Sequence, residues 1–222
     1  MISKNLKNIQ QTIPDDVVLV AVSKTKPNQD ILEAYESGQR IFGENKIQEM
    51  VAKYDSLPKD IEWHMIGHLQ RNKVKYMAEF VSLIHGVDSL KLLNEINKQA
   101  KKHDRDIHCL LQIKIAEEDS KFGMSALEAK ALLNSDDLNS LQNICITGLM
   151  GMATFTEDTN QVRSEFEFLK QTYDGLKDIA TDNVILEHIS MGMSGDYDLA
   201  ISCGSTMIRV GSSIFGARQY SI

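Results

Sequence analysis

Short apolar runs and helical stretches take turns along this chain eight times, and that alternation constrains its fold more than any other feature. A β-run, an amphipathic helix and another β-run make parallel neighbours joined by right-handed crossovers. The first run, Val17-Val18-Leu19-Val20-Ala21-Val22, is apolar on both faces, as a strand covered on both sides must be. Further strands are expected over 40–43, 62–67, 80–87, 107–115, 144–150, 184–189 and 206–210. A polar helix over 2–12 precedes the first strand, and helices are expected near 28–37, 71–79, 125–134 and 196–203. Three more show apolar stripes at helical spacing: Ile47, Met50, Val51 and Tyr54; Leu90, Leu93, Ile96 and Ala100, capped by Asp88-Ser89; and Val162, Phe166, Leu169, Tyr173 and Leu176.

Eight units predict an α/β protein with a single closed (β/α)₈ TIM barrel over residues 1–222, with 1–13 as a helix packed on it. An open doubly wound sheet is the competing arrangement, and the lack of GxGxxG after the first strand counts against its dinucleotide-binding form. The chain carries 24 Lys and Arg against 31 Asp and Glu, a net charge of −7, which argues against nucleic acid as a partner. Its one dense basic group, Lys98, Lys101, Lys102, His103 and Arg105, reads as a solvated helix face and end. No apolar run is long enough to span a membrane, and the first residues lack the apolar core of a signal peptide. Cys109, Cys145 and Cys203 form no CxxC pair and read as buried reduced thiols. Together these features predict a cytoplasmic protein.

Barrel active sites lie at the C-terminal ends of the strands. There the seventh strand leads into Ser190-Met191-Gly192-Met193-Ser194-Gly195-Asp196, and the eighth into Gly211-Ser212-Ser213. Glycines let backbone approach an anion closely, and helix starts supply N–H donors, so these loops read as a phosphate cup with Ser194 as a helix N-cap. Ordinary caps and turns are the other meaning of the same residues. Lys24 ends an all-apolar strand; there it serves as a Schiff-base amine, as a point charge for a phosphate, or as a snorkelling strand-end residue. An amine and a phosphate cup suit either a sugar-phosphate aldolase or a pyridoxal 5′-phosphate (PLP) site. Arg209 shares a strand face with Gly211, which points it at a pyridine nitrogen, or else at a buried carboxylate such as Glu187.

Five segments resemble the YggS/PROSC-type pyridoxal phosphate homeostasis family: 21–27 (AVSKTKP), 42–45 (FGEN), 63–73 (WHMIGHLQRNK), 190–194 (SMGMS) and 204–218 (GSTMIRVGSSIFGAR). The resemblance implies a fold-type III barrel, similar to the N-terminal domain of alanine racemase, without that enzyme's C-terminal β domain. It implies PLP as the cofactor, held as an internal aldimine on Lys24. Ser194, Gly211 and Ser212 would hold the phosphate, Arg209 would face the pyridine nitrogen, and Asn45 would contact the cofactor from the second strand. Lys26 and Lys121 match family lysines suggested to take part in PLP transfer. Ser212 stands where Thr is frequent, and Gly195 where an acidic residue is common. Such proteins carry and buffer PLP in vitamin B6 and amino-acid homeostasis, with PLP-dependent apo-enzymes as recipients, and have no established turnover or catalytic residue. An amino-acid racemase or decarboxylase is the alternative, but a racemase would need a second domain for its opposite-face acid–base group. His64 is expected in the barrel wall and His68 hydrogen bonded near Asn45. With the dimer-forming domain missing, a monomer is expected.

Overall fold

The computed structural model describes residues 1–117 and 122–217. Its elements run α1 (Ile2–Thr12), β1 (Val18–Val22), α2 (Asn28–Glu36), β2 (Ile41–Glu44), α3 (Ile47–Ser56), β3 (Glu62–Met65), a 3₁₀ helix (Arg71–Tyr76) and β4 (Val81–Val87). They continue with α4 (Leu90–Lys102), β5 (Ile107–Gln112), α5 (Ala126–Leu133), α6 (Asp136–Asn139), β6 (Ile144–Met150), α7 (Thr159–Asp174), β7 (Val184–Met193), α8 (Tyr197–Ser202), β8 (Met207–Val210) and α9 (Ser212–Phe215). The strands close into a parallel barrel in chain order, with Val18 to Ala21 of β1 paired against Met207 to Val210 of β8. The open sheet is thereby excluded.

The helical stripes bury the side chains that their spacing marks. On α4, Leu93, Ile96 and Ala100 are fully buried and Leu90 partly so; on α7, Val162, Phe166 and Leu169 face the strands. The larger apolar cluster fills the layer between barrel and helices. The barrel lumen holds a much smaller one, Val20, Leu83, Leu110, Met150 and Met207, and the rest of that space is polar.

Two elements depart from expectation. The stretch expected as a helix over 71–79 is a 3₁₀ turn, with Lys73 N–H bonded to Gln70 O and Met77 N–H to Val74 O. Val74 is the one buried residue of that turn, so no 3.6-residue stripe exists to stabilise an α-helix there. Strand β7 runs on to Met193, four residues past its expected end, because a register irregularity between Ser190 and Met193 keeps pairing alive through a glycine-containing stretch that reads as a loop. Of the cysteines, Cys109 and Cys203 are buried free thiols, while Cys145 is only half-buried. Among the described residues no helix is long and apolar enough to cross a membrane.

Gly148 of β6 sits at a register shift against β7, where a Cβ would stand 2.0 Å from the His188 carbonyl oxygen. Backbone on both sides of this contact must move to accept any side chain. Gly148→Ala is therefore expected to destabilise the barrel by about 3 kcal/mol or more, lowering Tm by about 6–12 °C. A thermal midpoint within 2 °C of wild type, about 1 kcal/mol or less, would show that β6 and β7 separate easily.

Candidate functional site

Strands β7, β8, β1 and β2 are consecutive neighbours around the barrel, and their C-terminal ends form one continuous arc. That arc brings Ser194, Arg209, Gly211, Ser212, Lys24 and Asn45 to the same end of the molecule. Lys24 and Asn45 are half-buried and Ser212 is exposed, so the arc is open to a ligand.

Ser194 acts differently from expectation. Asp196 holds the N-cap position of α8, with Oδ1 accepting from Met193 N–H at 2.5 Å. The Ser194 hydroxyl is turned across the arc instead and accepts from Gly211 N–H at 3.0 Å. This bond ties the loop after β7 to the turn that opens α9. Gly211 is itself pressed onto β1, where a Cβ would meet Val22 O at 3.2 Å and Val22 Cβ at 3.3 Å. A larger residue would push the turn away from the lysine strand.

The segment carrying Lys24 is anchored on both sides. Ser23 is fully buried, its hydroxyl donating to Glu44 Oε1 at 2.6 Å, and its carbonyl accepts from Lys53 Nζ at 2.8 Å. Thr25, held at a φ of 64°, donates its N–H to Glu49 Oε1 at 2.5 Å. Lys53 closes the cluster with 2.7 Å contacts to both Glu44 Oε1 and Glu49 Oε1. Glu44 is fully buried, and burial raises its pKa, opposed by the charge and hydrogen bond of Lys53 and by the Ser23 hydroxyl. Its Oε2 is buried without a hydrogen-bond partner among the described residues. Breaking such a buried pair by removing one member costs about 3–5 kcal/mol. Lys53→Met is expected to show that loss in urea unfolding, with most of it recovered when Glu44→Gln is added. A loss under about 1 kcal/mol would mean that water solvates the cluster.

Arg209 lies in the lumen, 4% exposed. Its Nη1 donates to Ser190 O at 2.8 Å and Ser190 Oγ at 2.6 Å, and its Nη2 to Gly151 O at 3.0 Å. These partners replace the suggested carboxylate, since Glu187 is exposed on the outer part of β7. Burial lowers the Arg209 pKa to about 10, against the pull of Asp196, so the group remains a cation. His64 is buried in the lumen as expected. The His68 ring stacks on Phe122 at 3.9 Å and its Nδ1 lies 3.9 Å from Asp88 Oδ2, while the neighbouring Gly67 is packed against the Asn45 backbone. Lys26 spans to the end of α9, donating to the carbonyls of Phe215 at 3.0 Å, Gly216 at 3.1 Å and Ala217 at 3.3 Å. Lys121 lies outside the described residues, as does Arg218.

Lys53, Glu49 and His85 are not singled out from the sequence, and Ser190 is placed there in the loop after the seventh strand without its contact to Arg209. Lys53 and Glu49 sit four residues apart on α3, the one available signal, but that spacing more commonly marks a solvated pair. The residues of the arc and the barrel beneath them define a class: the family model described as "Alanine racemase, N-terminal domain" matches residues 1–219. The "Pyridoxal phosphate homeostasis protein" of Pasteurella multocida (strain Pm70) is 39% identical over 99% of this chain and 99% of its own. This chain belongs to the pyridoxal phosphate homeostasis protein family, within that class. PipY of Synechococcus elongatus PCC7942, solved without PLP, superposes with a TM-score of 0.91 at 36% identity, covering 97% of this chain and 100% of that one. The same protein with PLP bound gives 0.87 at 35% identity, with the same coverage. An alanine racemase from Clostridium difficile 630 shares the fold, with a TM-score of 0.78 at 16% identity over 99% of this chain and 56% of its own.

Proposed function

We propose that this protein binds PLP at the arc of strand ends and serves PLP homeostasis by carrying and buffering it. The observation that most supports this reading is the bond from Gly211 N–H to Ser194 Oγ, which joins two loops into a turn beside the lysine-bearing strand. PLP bears a phosphate and an aldehyde, and the arc offers a group for each. Ser194, Gly211 and Ser212 would hold the phosphate, and the Lys24 amine would be the covalent attachment point. Asn45 would contact the cofactor from β2, and Arg209 would approach the ring from below. The relatives' name and the PLP bound to PipY favour the same ligand.

PLP supplies an electron sink for bonds at an amino-acid α-carbon. Arg209 works against that use. A fixed cation beside the pyridine nitrogen disfavours its protonation and so weakens the sink. Retention rather than turnover fits such a site. PLP-dependent apo-enzymes are the proposed recipients, in the cytoplasm, with the protein acting as a monomer. A transfer role for Lys26 would require its release from three carbonyls, and Lys121 is carried as a second proposed transfer residue.

Borohydride reduction of the PLP-incubated protein, followed by peptide mapping, tests the assignment. The expected result is PLP mass fixed on the peptide containing Lys24. Mass on another peptide, or none, would overturn it.

A further inference from the structure

The lumen beneath Arg209 is crossed by a line of hydrogen-bonded side chains from four strands. Ser190 Oγ accepts from Arg209 Nη1 at 2.6 Å, and it lies 3.0 Å from His85 Nδ1. His85 Nε2 lies 3.0 Å from His64 Nδ1. Ser190 and His85 are fully buried, and His64 is 4% exposed. His64 in turn borders a cavity of about 360 Å³ at the N-terminal end of the barrel, which Thr147, His108 and His188 also line. The line thus connects β8 to β7, β4 and β3, from the ligand-facing end to the floor.

The donors fix its sense. A guanidinium has no acceptor, so the Ser190 oxygen must accept from it. The Ser190 proton then points to His85 Nδ1, which therefore carries no proton. A neutral His85 holds its proton on Nε2 and donates it to His64 Nδ1, so His64 also carries its proton on Nε2. In this order each donor from Arg209 to His85 meets an acceptor within the line. The reverse order leaves the Ser190 proton without an acceptor among the described partners. Burial, followed by the neighbouring His64, Arg209 and His188, pushes the His85 pKa well below its usual value, which agrees with a neutral ring.

We propose that His85 is a positioning residue for Arg209, acting through the Ser190 hydroxyl to fix the guanidinium where it meets the cofactor ring. The inference rests on the PLP reading for its functional consequence, but the order of the chain does not. His85 orients the hydroxyl; the hydroxyl and the Ser190 carbonyl together hold Nη1; and the remaining edge of Arg209 is set by the Gly151 carbonyl.

Two near-isosteric variants separate positioning from packing. His85→Asn places an amide near the Nδ1 position and keeps an acceptor for Ser190. His85→Gln places its amide near the Nε2 position and keeps only the His64 contact. Because the Ser190 hydroxyl bonds a charged group, loss of its anchor is expected to weaken PLP binding about tenfold or more. His85→Asn is expected to stay within about threefold of wild type with an unchanged absorbance spectrum. His85→Gln is expected to show the loss together with a shifted spectrum, and Ser190→Ala to resemble it. Equal behaviour of the Asn and Gln variants, whether both are intact or both impaired, would overturn the proposal. ¹⁵N NMR of the PLP-free wild-type protein gives a second, independent test. Nε2–H tautomers are expected for both His85 and His64, and an Nδ1–H tautomer at His85 would overturn the proposal even if every variant failed to fold. If the wild-type protein bound no PLP, the proposed function would fall, while the tautomers would still decide the order of the chain.

Discussion

Lys24→Ala is expected to eliminate borohydride-fixed PLP completely, while free PLP still occupies the arc weakly. In the proposed site the turn at Gly211 and Arg209 would offer non-covalent contacts, but a stable adduct needs a primary amine at the right place. The neighbouring amines are poorly placed to substitute. Lys26 is bound to three carbonyls at the end of α9, and Lys53 is buried against Glu44 and Glu49. Mass spectrometry after reduction gives a yes-or-no reading, and equilibrium dialysis measures what remains. Full labelling of the alanine variant on any other lysine would remove Lys24 from its proposed role. Loss of both labelling and residual binding would show that the amine contributes more than attachment.

The second large effect concerns acid. His64 is held at a pKa of about 3 by burial, with the charge of His188 adding to it, and His85 is also pushed well below its usual value. In the unfolded chain both would titrate near 6.5. Below that pH the unfolded state binds protons that the folded state refuses, so stability is lost as pH falls. His64 contributes about 1.4 kcal/mol per pH unit, or about 2–3 kcal/mol between pH 6.5 and 4.5, and His85 and His188, both shifted down by burial, act in the same direction. Glu44 has the opposite sign. Its folded pKa is raised, so above about 4.5 the folded state holds the extra proton and stability rises as pH falls through that window. One carboxyl does not offset two histidines. The wild-type urea midpoint is expected to fall steeply from pH 6.5 to 4.5, and His64→Gln to make that fall measurably shallower. An unchanged slope in that variant would mean that His64 becomes charged inside the folded barrel.

Much of this molecule was legible in its sequence because strand ends announce themselves. An apolar run that stops at a polar residue marks a place on the barrel rim, and Lys24, Gly211 and Ser212 lie at such places, whereas Asn45 is singled out by the resemblance alone. Chain order then supplied the neighbours, since strands one, two, seven and eight must adjoin once the barrel closes. What lay hidden was contact across the lumen. Which inward side chain of β4 meets which of β7 depends on stagger and on register shifts, and alternation carries neither. His85 is therefore an ordinary letter in the sequence, and its partnership with Ser190 exists only in space. Lys53 was hidden for another reason: a lysine on an amphipathic helix reads as solvated, and its burial depends on two acids brought from β2 and its own helix. Ser194 shows a third limit, because the same serine can cap its own helix or bridge to another loop, and local sequence does not choose.

The pairing of β1 with β8 also sets a schedule. A ribosome makes Lys24 well before Gly211, so the proposed attachment amine exists long before the turn beside it. A nascent chain can present the lysine but not yet the Ser194–Gly211 contact beside it. Synthesis must pass β8 before the barrel closes, so the proposed site for a reactive aldehyde would be assembled last, together with closure itself.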